Sequence, residues 1–242
     1  MKPGADRRLG LFLRRIVGGQ GRRADHGKRG CRSGKRRQDR TSGREGCAMK
    51  TVTIECRKYD EWDSKTQSRL VDIHRDINTD EGWDEWVLED AKEVGRLLGI
   101  EIEKVLYSGF SRQGDGACFV GTYRYAPDAG QAIRDYAPTD EKLHEIAEGL
   151  KALKRRWLYG FALDINHQGS DCHEYTTQFT FRCTGDPVAK EYRDEVIRLM
   201  RELMRWIYTR LESEFFSLME DDSVAETLRC NNYEMDSNGV IH

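Results

Sequence analysis

His167, Cys172, His173 and Glu174 lie close together in the chain and combine imidazole, thiol and carboxylate donors, the donor types that hold zinc. A hairpin closing on Gln168-Gly169-Ser170-Asp171 would set His167 opposite Cys172 and turn His173 to the other sheet face. That arrangement does not gather three ligands on one side. A zinc site built on His167, Cys172 and His173 would need a further donor brought in by the fold, from Cys183, Cys118 or His144. No CxxC, HxxxH or HExxH spacing occurs, so no metal and no cofactor are assigned. The seven cysteines, Cys31, Cys47, Cys56, Cys118, Cys172, Cys183 and Cys230, are odd in number and lack framework spacing; reduced thiols in a cytoplasmic protein is the reading that follows. A Cys–His nucleophile from Cys172 or Cys118 with His173 or His144 has no supporting spacing. Glu81, Asp84, Glu85, Glu89 and Asp90 share one helical stretch, and Glu220, Asp221 and Asp222 follow near the end. They read as solvated helix faces rather than a paired-acid magnesium site.

The densest stretch is 107–121, where two apolar runs flank Gly114-Asp115-Gly116. Glycine tolerates positive φ, and an aspartate beside it bonds its own backbone, so a tight turn is expected. Two readings stand. One is a plain hairpin connection, with Gly121 leaving room for a neighbouring aromatic ring. The other is a binding loop formed by Ser108, Gly109, Phe110, Arg112, Gln113, Gly114, Asp115 and Gly116, whose backbone N–H groups and carboxylate meet a ligand. No Lys-Ser/Thr follows the glycines, which excludes a phosphate-binding P-loop.

The elements that position these residues follow from periodicity. Residues 51–57 alternate as a short strand with Val52 and Ile54 on one face. A weakly apolar helix is expected over 60–77, with Trp62, Leu70 and Ile73 inward. Asn78-Thr79-Asp80 supplies cap chemistry for a helix over 81–98 that aligns Trp83, Trp86, Val87, Ala91, Val94 and Leu98, and Gly99 ends it. Residues 100–107 form a strand, and Ala117, Phe119, Gly121, Tyr123 and Tyr125 alternate along its partner. Helices follow over 128–136 and 140–156, the second capped by Thr139, burying Leu143, Ile146, Ala147, Leu150 and Leu153, and ending in Lys151, Lys154, Arg155 and Arg156. A second hairpin pairs 159–167 with 172–183, its strands carrying Phe161, Leu163 and Ile165 and then Tyr175, Gln178, Phe179 and Phe181. Gly185 breaks it. Asp186-Pro187 opens a helix to about Met219 with an apolar stripe from Val188 through Tyr192, Val196, Leu199, Met200, Leu203, Ile207, Leu211 and Phe215 to Leu218. Charges interrupt that helix too often for a membrane span. A short helix over 223–231 and a terminal strand turning at Asn238-Gly239 complete the chain. The fold class is α+β: an antiparallel sheet of about five to six strands built on two central hairpins, helices packed on one face, and one long C-terminal helix.

Charge divides the chain in two. Residues 1–48 hold 15 Lys+Arg and 4 Asp+Glu, so of the 40 basic and 42 acidic residues the other 194 hold 25 and 38. The basic leader is too polar to form a core and reads as disordered, either as a nucleic-acid-binding arm or as an extension upstream of a start at Met49. Residues 49–242 read as one domain with a net charge of −13, which disfavours binding of nucleic acid by that domain and suits a nucleic-acid mimic or an inhibitor steered to a basic enzyme.

The segments SGFSRQGDGACF (108–119, with Gly121 and Tyr123-Arg124-Tyr125 following), IRDYAPTDEKLHEIAEGL (133–150) and MRWIYTRLE (204–212) resemble a family of bacteriophage and prophage proteins often labelled "antitoxin of toxin-antitoxin stability system". The resemblance runs from about Met49 to the C-terminus. It implies a phage-derived protein in the cytoplasm of a bacterial or infected host cell, and supplies no catalytic residues. The expectation is therefore an interaction protein that binds and neutralises a bacterial host protein, as an antitoxin or anti-defence inhibitor, with 108–116 as its contact. A small-ligand or metal-dependent enzyme using the two hairpin loops is the alternative, and nucleic-acid binding through the leader is a third reading.

Overall fold

The computed structural model describes residues 54–80, 82–154, 161–183 and 188–242. The basic leader, Met49, residues 51–53, Glu81, Arg155, Arg156, Tyr159, Gly185, Asp186 and Pro187 lie outside the described residues. In chain order the elements are β1 (Arg57–Lys58), α1 (Ser64–Ile73), α2 (Glu85–Leu98), β2 (Ile100–Tyr107), β3 (Ala117–Tyr123), α3 (Ala129–Tyr136), α4 (Glu141–Lys154), β4 (Phe161–His167), β5 (Thr177–Cys183), α5 (Lys190–Leu218), α6 (Asp221–Cys230) and β6 (Glu234–Met235). The fold is α+β, with its strands in two antiparallel sheets, β2-β3-β4-β5 and β1-β6. The chain divides into two units, one holding 54–74 and 225–242, the other 75–224.

In the smaller unit, α1 is shorter than the expected 60–77. Asp63 caps it, its Oδ1 accepting from the amides of Lys65 and Thr66 at 3.0 Å each, the bonding a helix N-terminus lacks internally. A 3-10 turn over Tyr59–Glu61 precedes the cap. Leu70 and Val71 are buried, while Ile73, expected inward, is 43% exposed. Ile54 is exposed too, because the strand begins only at Arg57 and pairs there with Met235. The terminal turn forms as expected at Asn238-Gly239. The Asp236 carboxylate accepts from Asn238 N at 2.8 Å and Val240 N at 3.0 Å.

In the larger unit, the four-stranded sheet has an apolar and a polar face because side chains alternate along each strand. Cross-strand partners place Ile100, Ile102, Val105 and Tyr107 beside Tyr123, Gly121, Phe119 and Ala117. The same row continues through Leu163 and Ile165 to Phe181 and Phe179. Phe119, Leu163 and Ile165 are fully buried, each contributing about 1.5–3 kcal/mol of apolar burial. Val87, Ala91, Val94 and Leu98 of α2 join the same core, as do Leu143, Ile146 and Leu150 of α4. The α5 stripe reaches it from Val196 to Leu211 and adds Met204 and Trp206. At 29 residues α5 is the long helix expected.

Several local expectations are corrected. The helix expected from 81 begins at Glu85, because residues 82–84 are spent in turns: Trp83 N donates to Asp80 O at 3.3 Å and Glu85 N to Gly82 O at 3.4 Å. Asn78 instead caps the far end of α5, its side-chain amide donating to Leu218 O at 3.0 Å. Asp140, not Thr139, caps α4, accepting from Leu143 N at 3.0 Å. Gly121 leaves room for backbone rather than for a ring. A Cβ there would lie 2.1 Å from Glu101 O, where the β2–β3 register shifts between Ile102 and Lys104.

Candidate functional site

The 108–116 connection is a hairpin loop that folds onto its own aspartate. Ser108 and Gly116 close it, Ser108 N donating to Gly116 O at 3.0 Å and Gly116 N to Ser108 Oγ at 3.1 Å. Asp115 Oδ2 accepts from Ser111 N at 2.8 Å and Arg112 N at 2.7 Å. The Arg112 amide, with that of Ser111 and the nearby Arg112 charge, holds the Asp115 carboxyl below its usual range. The amides expected to form an anion nest are thus met by the loop's own carboxylate. Gly114 takes φ +97, and a methyl group there would meet nothing within 4 Å, so it is the turn's backbone that requires glycine. Arg112, Gln113 and Gly114 stand exposed at the tip.

Phe110 points the other way, into a set of rings. Its centroid lies 5.0 Å from Phe215, 5.6 Å from Tyr208, 5.9 Å from Tyr107 and 6.0 Å from Trp83. Trp83 also meets Phe215 at 5.4 Å, and Phe216 beside it is 47% exposed. Hydrogen bonds fix the rim: Tyr107 OH donates to Asp84 Oδ2 at 2.8 Å, and Tyr208 OH donates to Gly109 O at 3.2 Å. Burial first, and then the Asp84 carboxylate, push the Tyr107 phenol well up. Burial, and then the Glu212 and Asp115 carboxylates, raise the Tyr208 phenol above its usual value.

The second hairpin loop meets the first. A Cβ on Gly116 would lie 3.0 Å from His173 Cδ2 and 3.3 Å from Cys172 O, and Ser108 Oγ donates to Cys172 O at 3.4 Å. The loop is longer than expected, because β5 starts at Thr177 and not at Cys172. Strand register pairs His167 with Thr177, so His167 does not face Cys172. The Thr176 hydroxyl turns the chain, lying 2.7 Å from Asp171 O and 2.8 Å from His173 O. His167 Nε2 is engaged with Asp171 O at 2.9 Å, and His173 Nδ1 lies 3.0 Å from Glu174 Oε2. His144 Nε2, the added donor considered for zinc, bonds Ala137 O at 2.9 Å. Among the described residues no three His, Cys, Asp or Glu side chains gather to hold a metal. Cys118 is buried; that burial, and Cys172 nearby, push its thiol up to about 11, which leaves it a poor nucleophile.

Sequence reasoning missed the contribution of α5. Arg201, Arg205, Tyr208, Glu212 and Phe215 recur at spacings of four and three and so share one side of the helix. That side carries both loops: Tyr208 and Phe215 hold the first, and Arg205 Nε holds buried Glu174 of the second at 2.8 Å. The spacing is visible in the sequence, yet it matches that of any solvated helix face, so only the packing singles these residues out.

The model of the family described as "Domain of unknown function (DUF8835)" matches residues 83–221. The chain belongs to this family. The match runs from Trp83 of the aromatic set through both loops to the end of α5. No curated protein and no solved structure matches the chain.

Proposed function

We propose that this protein binds another protein through the face made by the 108–116 loop, the 168–176 loop and the α5 side chains beneath them, and neutralises its partner as an antitoxin or inhibitor does. One observation carries the reading. Phe110, Trp83, Tyr107, Tyr208 and Phe215 form a prebuilt aromatic surface with Phe216 47% exposed beside it. Aromatic and arginine side chains on a rigid support are what binding hot spots are made of. From Arg201 to Phe216 the helix runs about 22 Å, enough to span a specific interface. The loop is held by Asp115 and Tyr208 before any partner arrives, which lowers the ordering cost of association.

The net −13 of residues 49–242 favours a basic partner and speeds its encounter. The resemblance to phage and prophage proteins supports a bacterial host protein as that partner. The test uses the full chain as bait in nuclease-treated bacterial lysate, with Phe110→Ala, Phe216→Ala and an Arg112/Gln113/Asp115→Ala triple variant as comparisons. A single host protein recovered near stoichiometrically with the wild type, and lost with exposed Phe216→Ala at unchanged melting temperature, is the expected result; Phe110→Ala should lose it too, with a lowered melting temperature because four ring contacts go with it. Recovery unchanged by all three variants would remove this face from the mechanism.

A further inference from the structure

Basic side chains gather where α5 passes the 168–176 loop, and most are neutralised. Arg198 pairs with Glu195 at 2.7 Å and Lys142 with Glu202 at 2.7 Å. Arg205 pairs with both Glu174 and Glu202 at 2.8 Å. Arg201 lies between Arg198 and Arg205 on the helix, and no carboxylate of the described residues pairs with it. Its guanidinium sits over the Tyr175 ring, 4.6 Å from the centroid, and 5.8 Å from that of Phe179. Its Nε donates to Glu174 O at 3.4 Å. One edge of the fork is therefore committed, and the edge with the two terminal nitrogens is not.

Tyr175 is 59% exposed, yet it is held from two sides. The His173 ring stacks on it at 5.3 Å, in addition to the contact with Arg201. Its hydroxyl oxygen accepts from Arg205 Nη2 at 2.9 Å, so its own proton remains to be donated outward. A guanidinium that lies over a ring and is bonded through Nε is restrained at two points, and a restrained fork suits two parallel bonds to one oxyanion. Glu174, which precedes Tyr175 in the chain, and Glu202, which follows Arg201, are each bonded to cations.

We infer that Arg201 and the Tyr175 hydroxyl form an oxyanion site, which takes a carboxylate or phosphoryl group carried on a side chain of the partner protein. This rests on the protein-binding reading above and names one of its contacts. The site is distinct from the aromatic surface and lies at the opposite end of the same helix face. A lysine at 201 would offer a point charge without the planar fork, so Arg201→Lys should not replace it.

The test measures phenylglyoxal modification of each arginine in the full chain by peptide mapping. Two probes are added at ionic strength matched with sodium chloride: N-acetylglutamate N-methylamide and N-acetylphosphoserine N-methylamide. The expected result is slowed modification of Arg201, saturating in the millimolar range, with Arg198 unaffected. Tyr175→Phe should weaken that protection about fivefold, the value of one hydrogen bond. Protection by the glutamate probe identifies an acidic side chain as the natural ligand; protection by the phosphoserine probe alone identifies a phosphorylated one. No protection beyond that of sodium chloride at about 50 mM probe, a concentration that would reveal even a very weak site, overturns the proposal. Equal protection at Arg198 and Arg201 overturns it too. A lysate partner whose capture survives Arg201→Lys, with Arg201 unprotected by either probe, removes this site and leaves the protein-binding reading standing. An empty lysate capture with Arg201 protected does the reverse.

Discussion

Gly121→Ala should destabilise the larger unit strongly, although the residue is small and lies far from the loop tip. Gly121 pairs with Ile102 on β2 and with Ile165 on β4, so it sits between two strands. A Cβ at this position would stand 2.1 Å from Glu101 O, 3.0 Å from Glu101 C and 3.2 Å from Ile102 Cα. All three atoms are backbone, so no rotamer change relieves them. Relief requires β2 and β3 to part by on the order of 1 Å, since non-bonded heavy atoms settle at about 3.5–4 Å. Overpacking of this kind costs about 1–3 kcal/mol, and ladder hydrogen bonds weakened by the separation add about 1 kcal/mol. A total of about 3 kcal/mol corresponds to a fall of about 1–1.5 M in the urea midpoint and about 6–12 °C in melting temperature. The control is Gly114→Ala in the same hairpin. There a methyl meets nothing within 4 Å but must accept φ +97, a purely torsional cost of about 1–2 kcal/mol. Urea unfolding followed by far-ultraviolet circular dichroism reads both. A Gly121→Ala midpoint within about 0.2 M of the wild type, well inside the shift expected for even 1 kcal/mol, would refute the backbone-approach argument.

Asp140→Ala should cost about 1–2 kcal/mol, because it removes the cap on Leu143 N and the acceptor for Trp206 Nε1 at 2.8 Å; Thr139→Ala should cost little, and equal losses by thermal unfolding would contradict the cap assignment. The Asp115 carboxyl is held below its usual range by the Arg112 and Ser111 amides. A depressed carboxylate stabilises the folded loop above its unfolded pKa and loses that contribution as pH falls through the lower folded value. Exchange protection of the Ser111 and Arg112 amides should therefore persist at neutral pH, decline only below about pH 4, and be missing at neutral pH in Asp115→Ala. Protection that stays constant down to strong acid would show that the carboxylate does not hold the loop.

Much of the fold was legible because it rests on periodicity. The stripe Val87, Ala91, Val94, Leu98 and the long α5 run are helical by spacing alone, and the bounds of β2 agree with the β-branched and aromatic run that suggested them. Errors cluster where two chemistries compete for one residue. Asn78, Thr79 and Asp80 have the composition of a cap for the following helix, but Asn78 is taken by Leu218 O across 140 positions of chain. Thr176 looks like a strand residue and is instead a hydroxyl that turns the chain, which is why His167 and Cys172 do not meet. Of the candidate site, the 108–116 turn was visible, because Gly-Asp-Gly has a local conformational preference.

Sequence by itself determined the α+β class, the two central hairpins, the long helix and the charge division between residues 1–48 and 49–242, since each follows from interactions within a few residues or from a count. Tertiary structure alone decided that Phe110 turns inward to Trp83 and Phe215, that Gly116 meets His173, and that Arg201 is stacked on Tyr175 without a carboxylate among the described residues to pair with. Those contacts join residues from 26 to 105 positions apart, and no local propensity encodes them; they exist because burying one apolar sheet face against α5 brings both loop ends to the same side of that helix.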